Sequence, residues 1–204
     1  MLPNSLALKI ASFKFPSDQQ RSLMAHLIWR SFYSDLYQKE WNSFELLYNK
    51  QEKPSIKNHA QAFFNISHSG NQIVVVFSDK EIGVDVEKNK GDRRKLNKRV
   101  FTKEEIGDMK KQTSLVLEIA YFYRLWSLKE SYMKAIGKGM SLNLKSFSFK
   151  EDKDVFSLAF STEDKDWVFH TPLFLSDYFL SICSKNKRLD QHKTCLLEDF
   201  ERLL

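Results

Sequence analysis

Cysteine is almost missing from this 204-residue chain. The two present, Cys183 and Cys195, match no metal-ligand spacing, so free thiols in a reducing cytoplasm are expected. Long apolar runs are missing too. The longest, IVVVF at residues 73–77, is far too short to span a bilayer, and no membrane partner is expected. The amino terminus, MLPNSLALKIASFKF, lacks the charged start, apolar centre and small-residue cleavage site of a signal peptide. No low-complexity linker divides the chain. What it does hold is apolar mass: 42% hydrophobic residues, with 17 Phe, 7 Tyr and 4 Trp. That suffices for one large domain or two small ones around a shared core, and it argues against long disorder.

Positive charge is concentrated. KNKGDRRKLNKR, residues 88–99, sets Lys88, Lys90, Arg93, Arg94, Lys95, Lys98 and Arg99 against Asp92 alone. This local excess equals the net +6 of the whole chain. A solvated loop and helix face is one reading; a docking surface for an acidic partner is the other. The run has no interleaved aromatic on which bases could stack, so an acidic protein fits better than nucleic acid.

Periodicity gives the elements. SDQQRSLMAHLIWRSFYSDLYQ, residues 17–38, reads as a helix with Ser17 as N-cap and a stripe through Leu23, Leu27, Ile28 and Phe32. WNSFELLYN reads as a strand followed by a polar turn. AFFNISHS and QIVVVFS read as two strands joined at Gly70 and Asn71, and IGVDVEK as the next strand. Thr102 and Glu105 form a capping-box pattern at the start of a helix. A longer helix covers about 115–136, short strands follow, and CLLEDFERLL suggests a last helix. The expected fold is α+β. It comprises two similar α+β halves, residues 1–82 and 83–204, packed as a pseudo-twofold monomer.

IGVDVE is the stretch that demands chemistry. On a strand, residues two apart share a face, so Asp85 and Glu87 lie side by side at a repulsive cost of ~1 kcal/mol or more. Such a pair can bind a hard cation, share a proton or pair with basic residues. Mg²⁺ takes one to three carboxylates and fills its shell with water and phosphate oxygens. Gly83, on the same face, would let a ligand approach the backbone. In FYRLWSLKESYMKAIGKG, Tyr121, Leu125, Leu128, Tyr132 and Ile136 form one apolar helix face. Glu130 borders it, beside Trp126 and Met133. Glu130 could simply pair with Lys134 at i, i+4, worth ~0.3–0.5 kcal/mol. Lys129, however, projects into the apolar arc and needs a partner. In FNISHSG, Asn65, Ser67 and Ser69 share one face and His68 takes the other. His68 is either structural or, beside turn amides and hydroxyls, part of a phosphate site. Together these residues suggest Mg²⁺-assisted chemistry on a phosphate ester.

The ordered set EKP, FNISHSG, IGVDVE, FTKEE and WSLKESYMKAIGKG resembles the 4′-phosphopantetheinyl transferases, in particular the larger, Sfp-type monomers, over about residues 9–150. The resemblance implies transfer of the phosphopantetheine arm of coenzyme A to a carrier-protein serine. It implies Asp85, Glu87 and Glu130 as ligands of Mg²⁺, with Mn²⁺ as a substitute. Coenzyme A contacts would come from Lys9, Arg21, Ser22, Lys53, Pro54, Ser67, His68 and Lys134. Catalytic roles would fall to Glu130, Lys134, His68 and Glu105, with Glu105 also facing Lys129. An acidic acyl- or peptidyl-carrier protein would dock near Lys88–Arg99 and Phe101. A non-catalytic module that binds coenzyme A or a carrier is the alternative. Glu52 stands where the family commonly has Gly before Lys-Pro, and Leu6 where it often has a basic residue.

Overall fold

The computed structural model describes residues 4–40, 42–163 and 166–187. Two helices, α1 (Asn4–Ala11) and α2 (Pro16–Tyr37), precede the paired strands β1 (Leu46–Tyr48) and β2 (Pro54–Ile56). The hairpin β3 (Phe63–Ser69) and β4 (Gln72–Ser78) and then β5 (Ile82–Lys88) follow. Helices α3 (Asn97–Val100), α4 (Lys103–Lys110) and α5 (Leu115–Ile136) lead to β6 (Phe147–Asp152), β7 (Val155–Ser161), β8 (Val168–His170) and β9 (Tyr178–Ser184). The fold is α+β. β5 pairs antiparallel with β9, which also pairs with β8; β3–β4 and β6–β7 are antiparallel ribbons. Cys195 and the expected last helix lie outside the described residues.

Helix α5 starts where the Ser114 hydroxyl accepts the Leu117 N–H and stops at Gly137, whose φ of 70° is left-handed. Its face through Tyr121, Leu125, Leu128 and Tyr132 is buried, as its period requires. α4 carries the capping box, with Thr102 and Glu105 bonding reciprocally. α2 departs from expectation. Its N-cap is Phe15 with Pro16 at the first position, so Ser17 sits inside the first turn. Its buried face runs through Ala25, Trp29, Arg30 and Tyr33, while Phe32 is exposed. The aromatic rings decide this: Trp29 stacks on Phe64 at 5.0 Å and Tyr33 meets Phe77 edge-on at 5.4 Å. The strand expected over residues 41–49 is only β1.

Among the described residues three apolar clusters make the core. One holds Trp29, Tyr33, Phe44, Ile56, Ala62 and Phe64. A larger one surrounds α5. The third, Ile82, Val84 and Ile182 against Phe63, Val74, Val76 and Leu180, lies between the β3–β4 ribbon and the β5–β9 sheet. Along that seam β3 and β5 exchange no backbone ladder. Side chains take its place: Asn65 Oδ1, Ser67 Oγ and Ser69 Oγ accept the N–H groups of Val84, Val86 and Lys88 at 2.9, 3.2 and 3.0 Å. The period of two that puts these residues on one face thus joins the two sheets.

Candidate active site

Gly83, Asp85 and Glu87 all face α5. A Cβ at Gly83 would lie 2.2 Å from Ser131 O and 2.4 Å from Ala135 N. The backbone that Gly83 admits is therefore that of α5, and not a ligand's as expected. This close approach brings the carboxylates of β5 under Trp126, Glu130 and Lys134.

Asp85 is buried. Its Oδ1 accepts from Lys134 Nζ at 2.7 Å and from Ser67 Oγ at 3.0 Å, and Lys134 also donates to Ser67 at 3.0 Å. Asp85 Oδ2 is buried without a partner, which is costly for a carboxylate oxygen. Glu87 Oε1 accepts from Trp126 Nε1 at 3.2 Å and Oε2 from Ser69 at 3.3 Å. Burial and then the Asp85 charge raise its pKa, against those two bonds. Glu130 is pushed up to about 7 by burial, then by Asp85, with Lys134 opposing and Glu87 adding. The three acids are thus close enough to feel one another's charge.

These donors fit a hard divalent ion in kind, and the orphaned Asp85 Oδ2 gives it a place to bind. They are not a pre-formed cage: among the described residues no three His, Cys, Asp or Glu side chains are set to grip a metal. The Lys134 ammonium supplies the positive charge at Asp85 instead.

Arg21 and His68 reach the same region. Arg21 pairs with Asp18 and donates to Gly70 O at 3.2 Å, beside the β3–β4 turn. His68 is exposed, yet crowding by neighbouring atoms lowers its pKa, followed by the charges of Arg21 and Lys134. Ser22 is half-buried on α2, one residue past Arg21. Lys53 sits differently: its Nζ donates to Ala135 O at 2.5 Å and Ile82 O at 3.4 Å, and burial takes its pKa down to about 8. It thus grips the carboxy-terminal end of α5, where cations are favoured. Pro54 follows as the first residue of β2. Lys9 is exposed on α1, its Nζ 4.9 Å over the Tyr48 ring, while Leu6 of the same helix is buried.

Two of the expected residues, Glu105 and Phe101, are buried. Glu105 is fully buried with Oε2 3.0 Å from Lys129 Nζ, itself fully buried, and with Oε1 accepting from Phe149 N at 3.0 Å. Lys129 completes its bonds on the carbonyls of Leu144 and Phe147. The expected pairing is present, and with no open surface and both oxygens engaged Glu105 pins the core. Phe101 is 1% exposed and packs edge-on to Phe122. Within the basic run Arg94 is tied to Asp92 at 2.7 Å and Glu118 at 2.5 Å; Arg93, Lys95, Lys98 and Arg99 are exposed.

Sequence reasoning missed the roles of Trp126, Ser69 and Asn49. Asn49 donates to Gly137 O at 2.9 Å and accepts from Lys53 N at 2.8 Å, joining residues 88 positions apart. Only the row of Asn65, Ser67 and Ser69 carried a signal, in its shared face.

Asp85, Glu87, Glu130 and Lys134 thus form an acidic cluster with an embedded lysine between β5 and α5. Residues 81–183 match the family model of the 4′-phosphopantetheinyl transferase superfamily, and residues 1–80 match that of the N-terminal region of 4′-phosphopantetheinyl transferase. The chain belongs to the 4′-phosphopantetheinyl transferase superfamily and is a transferase. It is 34% identical to the 4′-phosphopantetheinyl transferase Sfp of Bacillus subtilis over 170 residues, covering 83% of this chain and 73% of that protein. To the transferase ffp of the same species it is 37% identical over 172 residues, with the same coverage. The L-aminoadipate-semialdehyde dehydrogenase-phosphopantetheinyl transferase of Mus musculus is 24% identical over 96% of this chain and 71% of its own.

Proposed function

We propose that this protein transfers the 4′-phosphopantetheine arm of coenzyme A to a serine of an acidic acyl- or peptidyl-carrier protein, releasing adenosine 3′,5′-bisphosphate. Family membership sets the reaction class. The observation that supports the particular site is the cluster of Asp85, Glu87, Glu130 and Lys134, with Asp85 Oδ2 buried and unpartnered.

In this reading Asp85, Glu87 and Glu130 would hold Mg²⁺ or Mn²⁺, which when bound neutralises charge on the diphosphate. The carrier serine oxygen attacks the β-phosphorus, the bond to the departing bisphosphate oxygen breaks, and the serine proton leaves. Lys134, fixed by Ser67, offers a preset positive charge to the phosphate oxygens as charge moves onto them. His68, with its lowered pKa, is neutral at pH 7 and acts there by hydrogen bonding. Glu130 accepts the serine proton, directly or through water. Arg21, Ser22 and Lys9 would line the nucleotide end, and Lys53, followed by Pro54, would meet coenzyme A phosphates from its place at the end of α5. In this reading the protein acts as a cytoplasmic monomer.

The test is intact-mass measurement of apo carrier proteins after incubation with coenzyme A and Mg²⁺. One carrier should gain the mass of a single phosphopantetheine on its serine, and Glu130→Gln should abolish the gain. Folded protein that modifies none of a panel of acyl- and peptidyl-carriers would overturn the proposal.

A further inference from the structure

We infer that Ser69 and Trp126 are positioning residues for Glu87, holding its carboxylate in the one orientation that lets it share a cation with Asp85. The inference rests on the metal reading given above. Glu87 carries a donor on each oxygen, and neither comes from its own strand: Trp126 Nε1 reaches Oε1 from α5, and Ser69 Oγ reaches Oε2 from β3.

The sense of the serine bond is fixed by its other partner. Ser69 Oγ already accepts the Lys88 N–H at 3.0 Å, so its own proton is left to point at Glu87. The same arrangement recurs two residues earlier, where Ser67 Oγ accepts the Val86 N–H and donates to Asp85. A single row on β3 therefore ties the halves together and aims both acids of β5. On the other side, Trp126 is held by its stack on Phe122, nearly parallel at 6.4 Å, and its indole can donate but never accept. Both donors favour the ionised carboxylate. They leave the outer lone pairs of Glu87 available, whereas a free glutamate would spread over several rotamers.

Partners that orient a ligand in this way commonly change metal affinity by roughly 10–100-fold when removed. The experiment measures Mn²⁺ binding by the loss of the free-ion EPR signal, with protein alone and with coenzyme A. Trp126→Phe deletes the donor and keeps the stack; Ser69→Ala deletes the hydroxyl. Each should weaken Mn²⁺ binding on the order of tenfold. In a Glu87→Ala background Trp126→Phe should add nothing, because its target is gone. An equal Kd for wild type and Trp126→Phe, or an undiminished effect of Trp126→Phe in the Glu87→Ala background, would overturn the inference while leaving the transferase reading intact. Wild-type protein that binds no Mn²⁺ under either condition would overturn the metal reading and this inference together. Circular dichroism melts guard against misfolding, and Trp126→His, which restores an N–H donor, should recover part of the affinity.

Discussion

Gly83 shows how one missing atom sets the site. Its would-be Cβ meets backbone, Ser131 O at 2.2 Å and Ala135 N at 2.4 Å, and backbone in a packed helix cannot step aside as a side-chain tip could. Gly83→Ala should therefore push α5 from β5, at a cost of ~3 kcal/mol or more, and carry Glu130 and Lys134 away from Asp85. Chemical denaturation should show the loss, and transferase activity should fall further than stability alone accounts for. A Gly83→Ala protein with wild-type stability would mean the helix is less tightly seated than described. His26 makes a second case, this time of pH. Burial, then Arg30 and Lys9, lower its pKa from 6.5 to about 4, and its Nδ1 accepts from Trp29 at the centre of the first core. The unfolded chain thus binds a proton that the folded one refuses. Stability from this group is whole above pH 6.5 and is lost as pH falls towards 4, by up to roughly 3 kcal/mol. Urea melts across that range should show the decline, and His26→Gln should flatten it.

At the scale of elements, the Lys129–Glu105 pair fastens α5, α4 and β6 at one buried point. Removing one partner leaves the other charged and buried, so Lys129→Met should cost ~3–5 kcal/mol. Lys129→Met with Glu105→Gln should regain part of that loss, which a double-mutant cycle in urea would read. If the double variant is no better than Lys129→Met alone, the pair is not the reason for the loss. The same elements show why the sequence was legible where it was. The period of α5 runs unbroken for six turns between Ser114 and Gly137, so its limits and its buried face could be read, and the lysine breaking that face announced a buried partner. α2 hides its face, because Leu23, Leu27, Ile28 and Phe32 mimic a stripe while Trp29 and Tyr33, with more surface to bury, take the core. The carboxylates were evident from spacing on one strand. Their holders were not, since Ser69 and Trp126 lie 18 and 39 residues from Glu87, and no local pattern encodes that meeting.

For the whole molecule, one stretch next to the acids carries a charge excess equal to the net +6 of the chain, and the structure divides it. Arg94 is consumed by Asp92 and Glu118, and Lys88 leans on Asp177 and Tyr178. Arg93, Lys95 and Lys98 stand exposed. Such charges act through the field they project, steering an acidic partner into contact more than they tighten the final complex. Reversing all three to glutamate should raise KM for an acidic carrier by on the order of tenfold at low ionic strength and leave KM for coenzyme A unchanged. Added salt should shrink the difference, because exposed charges are screened beyond about 8 Å at physiological ionic strength. Arg94→Glu is the contrasting variant. Its lost ion pairs should disturb the turn at residues 92–94 and the start of α5, so a change in melting should accompany any change in kinetics. An equal rise in both KM values for the triple reversal would place the basic surface at the coenzyme site instead, and would move carrier docking elsewhere on the chain.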